Sequence, residues 1–283
     1  STTAVKDPET GKKLDSRPSG LHRLKDLGLN HMEVEFVYGV KIPKEKAVEL
    51  GELAEKLDIS LTAHGPYYIN LASEEKPKYH ASLNRVQKTL IMGHHMKATS
   101  ITFHPAFYQG RTPEEVTEIV YEALLTILTD EKLNEETGGD LPLTSLETTG
   151  KPSQWGSLQE TLETADRINQ KLGHFRVSAC IDFAHLHARS NGKFNTKEEF
   201  LDIISLIEKT LGKEALEKLH MHISGINYAE KGERNHLNLE ESDLLYKEII
   251  QVLKEKGVSG WVVCESPNLE DDAKLMKDYY ESL

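Results

Sequence analysis

From residue 30 onward, short apolar runs rich in β-branched residues alternate with longer stretches of helical period, and this alternation constrains the fold more than any other feature. Seven runs read as strands: "MEVEFVY" (32–38), "ISLTAH" (59–64), "SITFH" (100–104), "LPLTSLE" (141–147), "RVSACID" (176–182), "KLHMHIS" (218–224) and "GWVVCES" (260–266). Strands separated by helices pair in parallel, because the crossover that returns the chain to the same end of a sheet is long enough to carry a helix. The clearest helix is "PEEVTEIVYEALLTILTDEKL", where Thr112 suits the N-cap, Pro113 the first turn, and Glu114 and Glu115 the positive end of the helix dipole. No linker interrupts the series, so residues 1–283 read as a single domain. A (β/α)8 barrel fits best, with an open doubly wound sheet as the alternative. The first of its eight strands is truncated or not legible at the N-terminus. Because the helix-like "PSGLHRLKDLG" precedes the first legible run, that strand is expected on its N-terminal side, as a remnant in "TTAV" or upstream of Ser1.

Strand ends carry the chemistry of a parallel barrel, since the site forms where the C-terminal ends converge. Here those ends are His64, His104, Glu147, Asp182, His222 and Glu265, with His185 three residues past Asp182 and His236 in the loop after His222. Each of these side chains can ligate zinc or manganese. One histidine at a strand end is ordinarily a hydrogen-bonded structural residue, but six strands in succession ending this way bring costly charges to one axis unless cations hold them. A tetrahedral zinc site takes four ligands, so eight candidates imply at least two metals. His220 shares the face of His222 and is expected one layer deeper, in packing. Paired metals serve phosphodiester cleavage, and they also serve sugar isomerases.

Composition narrows the partners. A net charge of −12 excludes a diffuse basic surface for nucleic acid. Hydrophobic residues make up 38% of the chain without a run long enough to suggest a membrane span. "STTAVKDPETGKKLDS" has neither a basic nor an apolar leader segment, so no signal peptide is expected. Cys180 and Cys264 lie inside apolar runs and read as buried core thiols, which points to a reducing cytoplasm.

"LTAHGPYYINLAS", together with "ITFHP", "LETTG", "CIDFAH", "HMHISG" and "CESP", resembles the endonuclease IV family of apurinic/apyrimidinic endonucleases, and more loosely the wider xylose isomerase-like barrel superfamily. The likeness runs in order from about residue 30 to 267. It implies a zinc-dependent hydrolase of base excision repair, expected as a monomer, that incises double-stranded DNA 5′ to abasic sites. Three zinc ions are implied. His64 and His104 would hold the first, and Glu147 would bridge it to a second held by Asp182, His222 and Glu265. His185 and His236 would bind the third. Glu147 and Glu265 are the implied catalytic residues, Glu265 orienting the attacking oxygen.

The family writes the third site's loop pair as Asp-x-His, whereas this chain has Arg234 two residues before His236. A guanidinium has no acceptor, so the third metal is expected to lose its only carboxylate. Glu233 is adjacent, but a shift of one residue in an extended chain turns a side chain the other way; His187 is a further spare nitrogen. The expectation is therefore two firmly held metals, with Arg234 placing a positive charge near the third position for a phosphate. Tyr67 and Tyr68, directly after His64, stand where the family wedges side chains into the base stack, and core tyrosines are the alternative. A sugar isomerase or epimerase of the same superfamily is the second reading of function, and a DNA-binding protein without turnover the third.

Overall fold

A computed structural model describes residues 16–283, so the "TTAV" candidate for an eighth strand lies outside the described residues. In chain order the strands are β1 (His31–Glu35), β2 (Ser60–His64), β3 (Ser100–Phe103), β4 (Ala106–Phe107), β5 (Leu143–Glu147), β6 (Gln154–Trp155), β7 (Val177–Asp182), β8 (Leu219–Ile223), β9 (Gly225–Ala229), β10 (Gly232–Leu237) and β11 (Gly260–Cys264). Every run read from the sequence holds one strand of a seven-stranded sheet, ordered β1-β2-β3-β5-β7-β8-β11. Pairing is parallel at every step, and β1 approaches β11, so the sheet is a nearly closed barrel with helices around it. The helix Ser16–Asp26 precedes β1, as its sequence predicts.

Local signals start the helices. The helix Pro113–Leu128 opens with a capping box in which the Glu115 amide donates to the Thr112 hydroxyl and the Thr112 amide donates to the Glu115 carboxylate. The same device opens Leu158–Leu172 at Ser157 and Lys197–Leu211 at Thr196. Such a cap stabilises its helix by about 1 kcal/mol.

The two faces of the barrel differ in chemistry. Leu61, Ala63, Ile101, Phe103, Leu146, Ala179, Ile181, Met221 and Ile223 are buried in the apolar layer between sheet and helices. The alternate residues turn inward and are mostly polar, Leu143, Trp261 and Val263 being apolar positions on the same face. Ser100 on β3 reaches His220 on β8 at 3.1 Å and Ser145 on β5 at 2.9 Å, and since β3 and β8 are not neighbours in the sheet, this contact crosses the lumen. Barrels of this kind ordinarily fill that space with Val, Ile and Leu. Cys180, expected as a core thiol, is buried but faces this polar lumen beside His220 and His222. Cys264 is only partly buried.

The remaining strands form two antiparallel pairs, β4 with β6 and β9 with β10. They follow β3, β5 and β8 in the chain, so both decorate the C-terminal rim.

Candidate metal centre

The rim gathers the strand-end residues around Glu147. His64 Nε2 donates to Glu147 Oε2 at 2.8 Å. Glu147 Oε1 lies 3.1 Å from His104 Nε2 and 3.4 Å from both His185 Nδ1 and His222 Nδ1. His222 Nδ1 also faces Glu265 Oε1 at 3.4 Å and Asp182 Oδ2 at 3.9 Å. All eight residues expected as ligands meet here, in three groups whose ligand atoms lie within 4.8 Å of one another: His64, His104 and Glu147; Glu147, Asp182, His222 and Glu265; and His185, His236 and Glu233.

Most of the histidines have one nitrogen tied down and the other directed inward. His64 Nδ1 donates to the Gly65 carbonyl at 2.7 Å and His185 Nδ1 to the Thr148 carbonyl at 2.9 Å, which leaves Nε2 of each for the cluster. His236 Nδ1 is 2.8 Å from the Ser224 hydroxyl. His187 does not join: its Nδ1 donates to the Lys193 carbonyl and its Nε2 pairs with Asp243, whose other oxygen accepts from the Tyr228 hydroxyl.

Glu233 corrects the expectation of a third group without a carboxylate. In the β9–β10 hairpin Glu233 pairs with Tyr228, Asn235 with Asn227 and His236 with Ile226, so Arg234 is the extra residue of a β-bulge. A bulge offsets the alternation by one. Glu233 and His236 therefore share a face despite their odd spacing, and Glu233 Oε2 lies 3.6 Å from His185 Nε2. Arg234 is exposed on the bulge. Close approach is permitted by Gly150, where an added Cβ would meet Glu233 Cβ and Oε2 at 2.7 Å and His185 Cδ2 at 2.9 Å. Its carbonyl accepts from the Glu233 amide at 2.9 Å, which fastens the hairpin to the loop after β5.

Two acids of β1 join the centre without a signal in the sequence. Glu33 is buried beneath His222, while Glu35 lies at the mouth, 3.9 Å from His64 Nδ1. A strand reading Glu-Val-Glu signals a solvent-facing alternation, and only a polar lumen turns that face inward.

Burial and neighbouring charge together set how the groups of the centre titrate. Burial favours neutral His64, yet the Glu35 and Glu147 carboxylates outweigh it and hold the imidazole well above its ordinary value. Burial likewise opposes charge on His185, but Asp182 and Glu147 push it up to about 10. Glu147, despite its burial, is held well below the carboxylate range by His104, His64 and His222. Protons here occupy places that a metal ion would compete for.

Above the centre lies a cavity of about 400 Å³ lined by Glu35, Tyr67, Phe107, Lys151 and Gln154 together with the ligand-type residues other than Asp182 and His222, which are buried beneath it. Arg189 shapes its wall by donating to the Thr149 hydroxyl and to the carbonyls of Lys151 and Gln154. Tyr67 and Tyr68 are 58% and 59% exposed at the rim, which removes the reading of core tyrosines. Tyr38, which carries no sequence signal of its own, stands with its ring centroid 6.4 Å from that of Tyr68.

The family model described as xylose isomerase-like TIM barrel matches residues 21–283. The uncharacterized protein MJ0133 of Methanocaldococcus jannaschii is 38% identical over 261 residues, which cover 92% of this chain and 90% of that protein. The probable endonuclease 4 of Staphylococcus carnosus is 25% identical over 167 residues, covering 58% of this chain and 52% of that protein. Among solved structures, endonuclease IV from Thermus thermophilus superposes with a TM-score of 0.71 at 16% identity, covering 94% of this chain and 95% of that one. A D-tagatose 3-epimerase-like protein superposes with a TM-score of 0.69 at 17% identity, covering 93% of each. At such identities the structural likeness shows the fold alone.

Proposed function

The chain belongs to the xylose isomerase-like TIM-barrel family, and on that footing we propose that it is a zinc-dependent phosphodiesterase incising DNA 5′ to abasic sites. The observation that carries this reading is that, of five ligand-competent groups among the described residues, three bring the eight strand-end and loop residues together at one rim, two of them sharing Glu147. A lone Lewis acid needs one such group, whereas in-line displacement at phosphorus benefits from several cations around one centre.

The residues fit metal. Glu147 Oε1, Asp182 Oδ2 and His222 Nδ1 are buried without hydrogen-bond partners, and such groups are costly unless something else satisfies them. The 3.4 Å separations of His222 Nδ1 from Glu147 Oε1 and Glu265 Oε1 match the edge of roughly 3.4 Å that tetrahedral zinc bonds of about 2.1 Å require. His64, His104 and Glu147 would hold one ion, Glu147, Asp182, His222 and Glu265 a second, and His185, Glu233 and His236 a third. When bound, such ions supply polarisation of a phosphoryl oxygen and neutralise its developing charge.

The chain's own groups do the rest. Glu265, partly exposed to the cavity, orients the attacking oxygen. Lys151 and the exposed Arg234 meet phosphate oxygens, for which a guanidinium offers a bidentate fork. Tyr67 and Tyr68 present aromatic faces on which bases stack regardless of sequence.

Incubation of the zinc-loaded protein with a labelled duplex carrying a tetrahydrofuran abasic analogue tests this. Chelator-sensitive incision on the 5′ side is the expected result, and an intact duplex overturns it. The second reading, a metal-dependent sugar epimerase, is favoured by the acidic lining of the cavity and its modest volume. Metal-dependent interconversion of ketohexoses, with the duplex left intact, is the outcome that establishes it.

A further inference from the structure

Beneath the ligand groups, the carboxylate of Glu33 lies in the lumen with 2% of its side chain exposed. Its Oε1 is 3.0 Å from His222 Nε2, and its Oε2 is 2.8 Å from His220 Nε2. The Thr62 hydroxyl donates to Oε2 at 2.7 Å, and Thr62 is itself 3.1 Å from His31 Nε2. His220 is anchored in turn through Nδ1, 3.1 Å from the Ser100 hydroxyl. Residues of β1, β2, β3 and β8 thus fix this carboxylate.

Neither Glu33 Oε1 nor His222 Nε2 has a partner in hydrogen-bond geometry, but two lone pairs 3.0 Å apart repel, so beside an ionised carboxylate the proton of the ring is favoured on Nε2. His222 then bears its proton on Nε2 in the neutral ring, and its lone pair is on Nδ1. Nδ1 is the atom that faces Glu147, Asp182 and Glu265. The other histidines are set the opposite way: His64 and His185 are tied at Nδ1 by backbone carbonyls, His236 is tied at Nδ1 by Ser224, and His104 presents Nε2 to Glu147. A charged acceptor behind an imidazole also makes its free nitrogen a stronger donor to metal than a neutral carbonyl does.

We propose that Glu33 is a positioning residue that selects Nδ1 of His222 as a metal ligand and strengthens it, with His220 and Thr62 holding the carboxylate in place. The proposal rests on the metal-binding reading given above. Glu33 stands apart from the eight strand-end and loop ligands, although its carboxylate also lies within 4.8 Å of Glu35 and Glu265. A purely structural Glu33, present to hold His220 in place, would leave the ligating atom and the affinity of the upper groups unchanged.

Zinc affinity measured by competition with a chromogenic chelator, for the unaltered protein and for Glu33→Gln, separates the two. Glutamine keeps the shape but removes the charge that faces both rings. One class of zinc site is expected to weaken about 10–100-fold, the effect typical of losing a ligand's supporting carboxylate. The sites built on His104 and on His236 are expected to keep their affinity. A second measurement needs no substitution: in unaltered protein loaded with spin-active cadmium, a single ligating histidine is expected to couple through Nδ1 and to retain a slowly exchanging Nε2 proton. Equal zinc affinities in the two proteins, or cadmium coupling through Nε2 alone, overturns the role of Glu33 while leaving metal binding intact. Failure of the unaltered protein to take up either ion overturns both readings.

Discussion

On one side of Glu147 the ligand-type residues sit at the ends of barrel strands, whereas on the other Glu233 and His236 hang on a two-stranded hairpin. The strand ends are located by the parallel ladder itself: Glu147 is paired in register with Cys180, and Asp182 with His222. Shifting one of them by a residue would break the sheet and its packing against the helices. The hairpin group depends on much less, namely one bulged residue and two glycines, Gly150 and Gly232, that let the chain approach. A scaffold of this kind keeps half of its centre invariant and leaves the other half adjustable by small changes.

The largest effect should come from Glu147→Ala, which removes the carboxylate shared by two groups. We expect incision to fall by more than about 100-fold, beyond the effect of losing a supporting residue, with fewer zinc ions retained on elemental analysis. Next is deletion of Arg234. Without the bulge Glu233 turns away from His236, and the hairpin site should weaken by about 10–100-fold in chelator competition while the Glu147 sites hold. Arg234→Ala, which keeps the bulge, should leave zinc content unchanged, so an equal loss from substitution and deletion would break the comparison. Gly150→Ala should be milder, roughly a tenfold loss at the hairpin site, since Glu233 must withdraw from a Cβ placed 2.7 Å away.

The smallest effect is a pH dependence. His185 in the metal-free protein is raised to about 10, above its ordinary value of about 6.5, so its proton stabilises the fold fully below that ordinary value. The contribution is lost as pH rises through about 10. Tm of the metal-free protein should drop over that interval by a few degrees, and less in the zinc-loaded protein, where the ion replaces the proton. Zinc binding between these limits should release protons, measurable by calorimetry in buffers of different ionisation heat, and zinc affinity should fall as pH is lowered.

Much of the barrel is legible in the sequence because strand and helix signals are local. Seven β-like runs, the helix before β1 and the cap at Thr112 all declare themselves within a few residues. Strand-end ligand types are legible for a related reason, since a parallel barrel converts sequence position at a strand end into spatial proximity. What escapes depends on context. The rule of alternation dismisses Glu233, a bulge suspends that rule, and no local signal in "GERNH" announces the bulge. Glu33 and Glu35 escape because charged residues at every second position of a strand ordinarily face water. His220 does lie one layer below His222, but it belongs to a polar chain and not to apolar packing.

That polar lumen has a consequence for how the centre accommodates changes of charge. Ser100, Thr102, Ser145 and Ser178 put rotatable hydroxyls in the barrel interior, and a hydroxyl can donate or accept according to what stands nearby. When a proton or an ion arrives at or leaves the carboxylates above, these dipoles can reorient on their bonds while the backbone and the outer apolar layer stay in place. The barrel thus carries a built-in solvent, tethered to its strands.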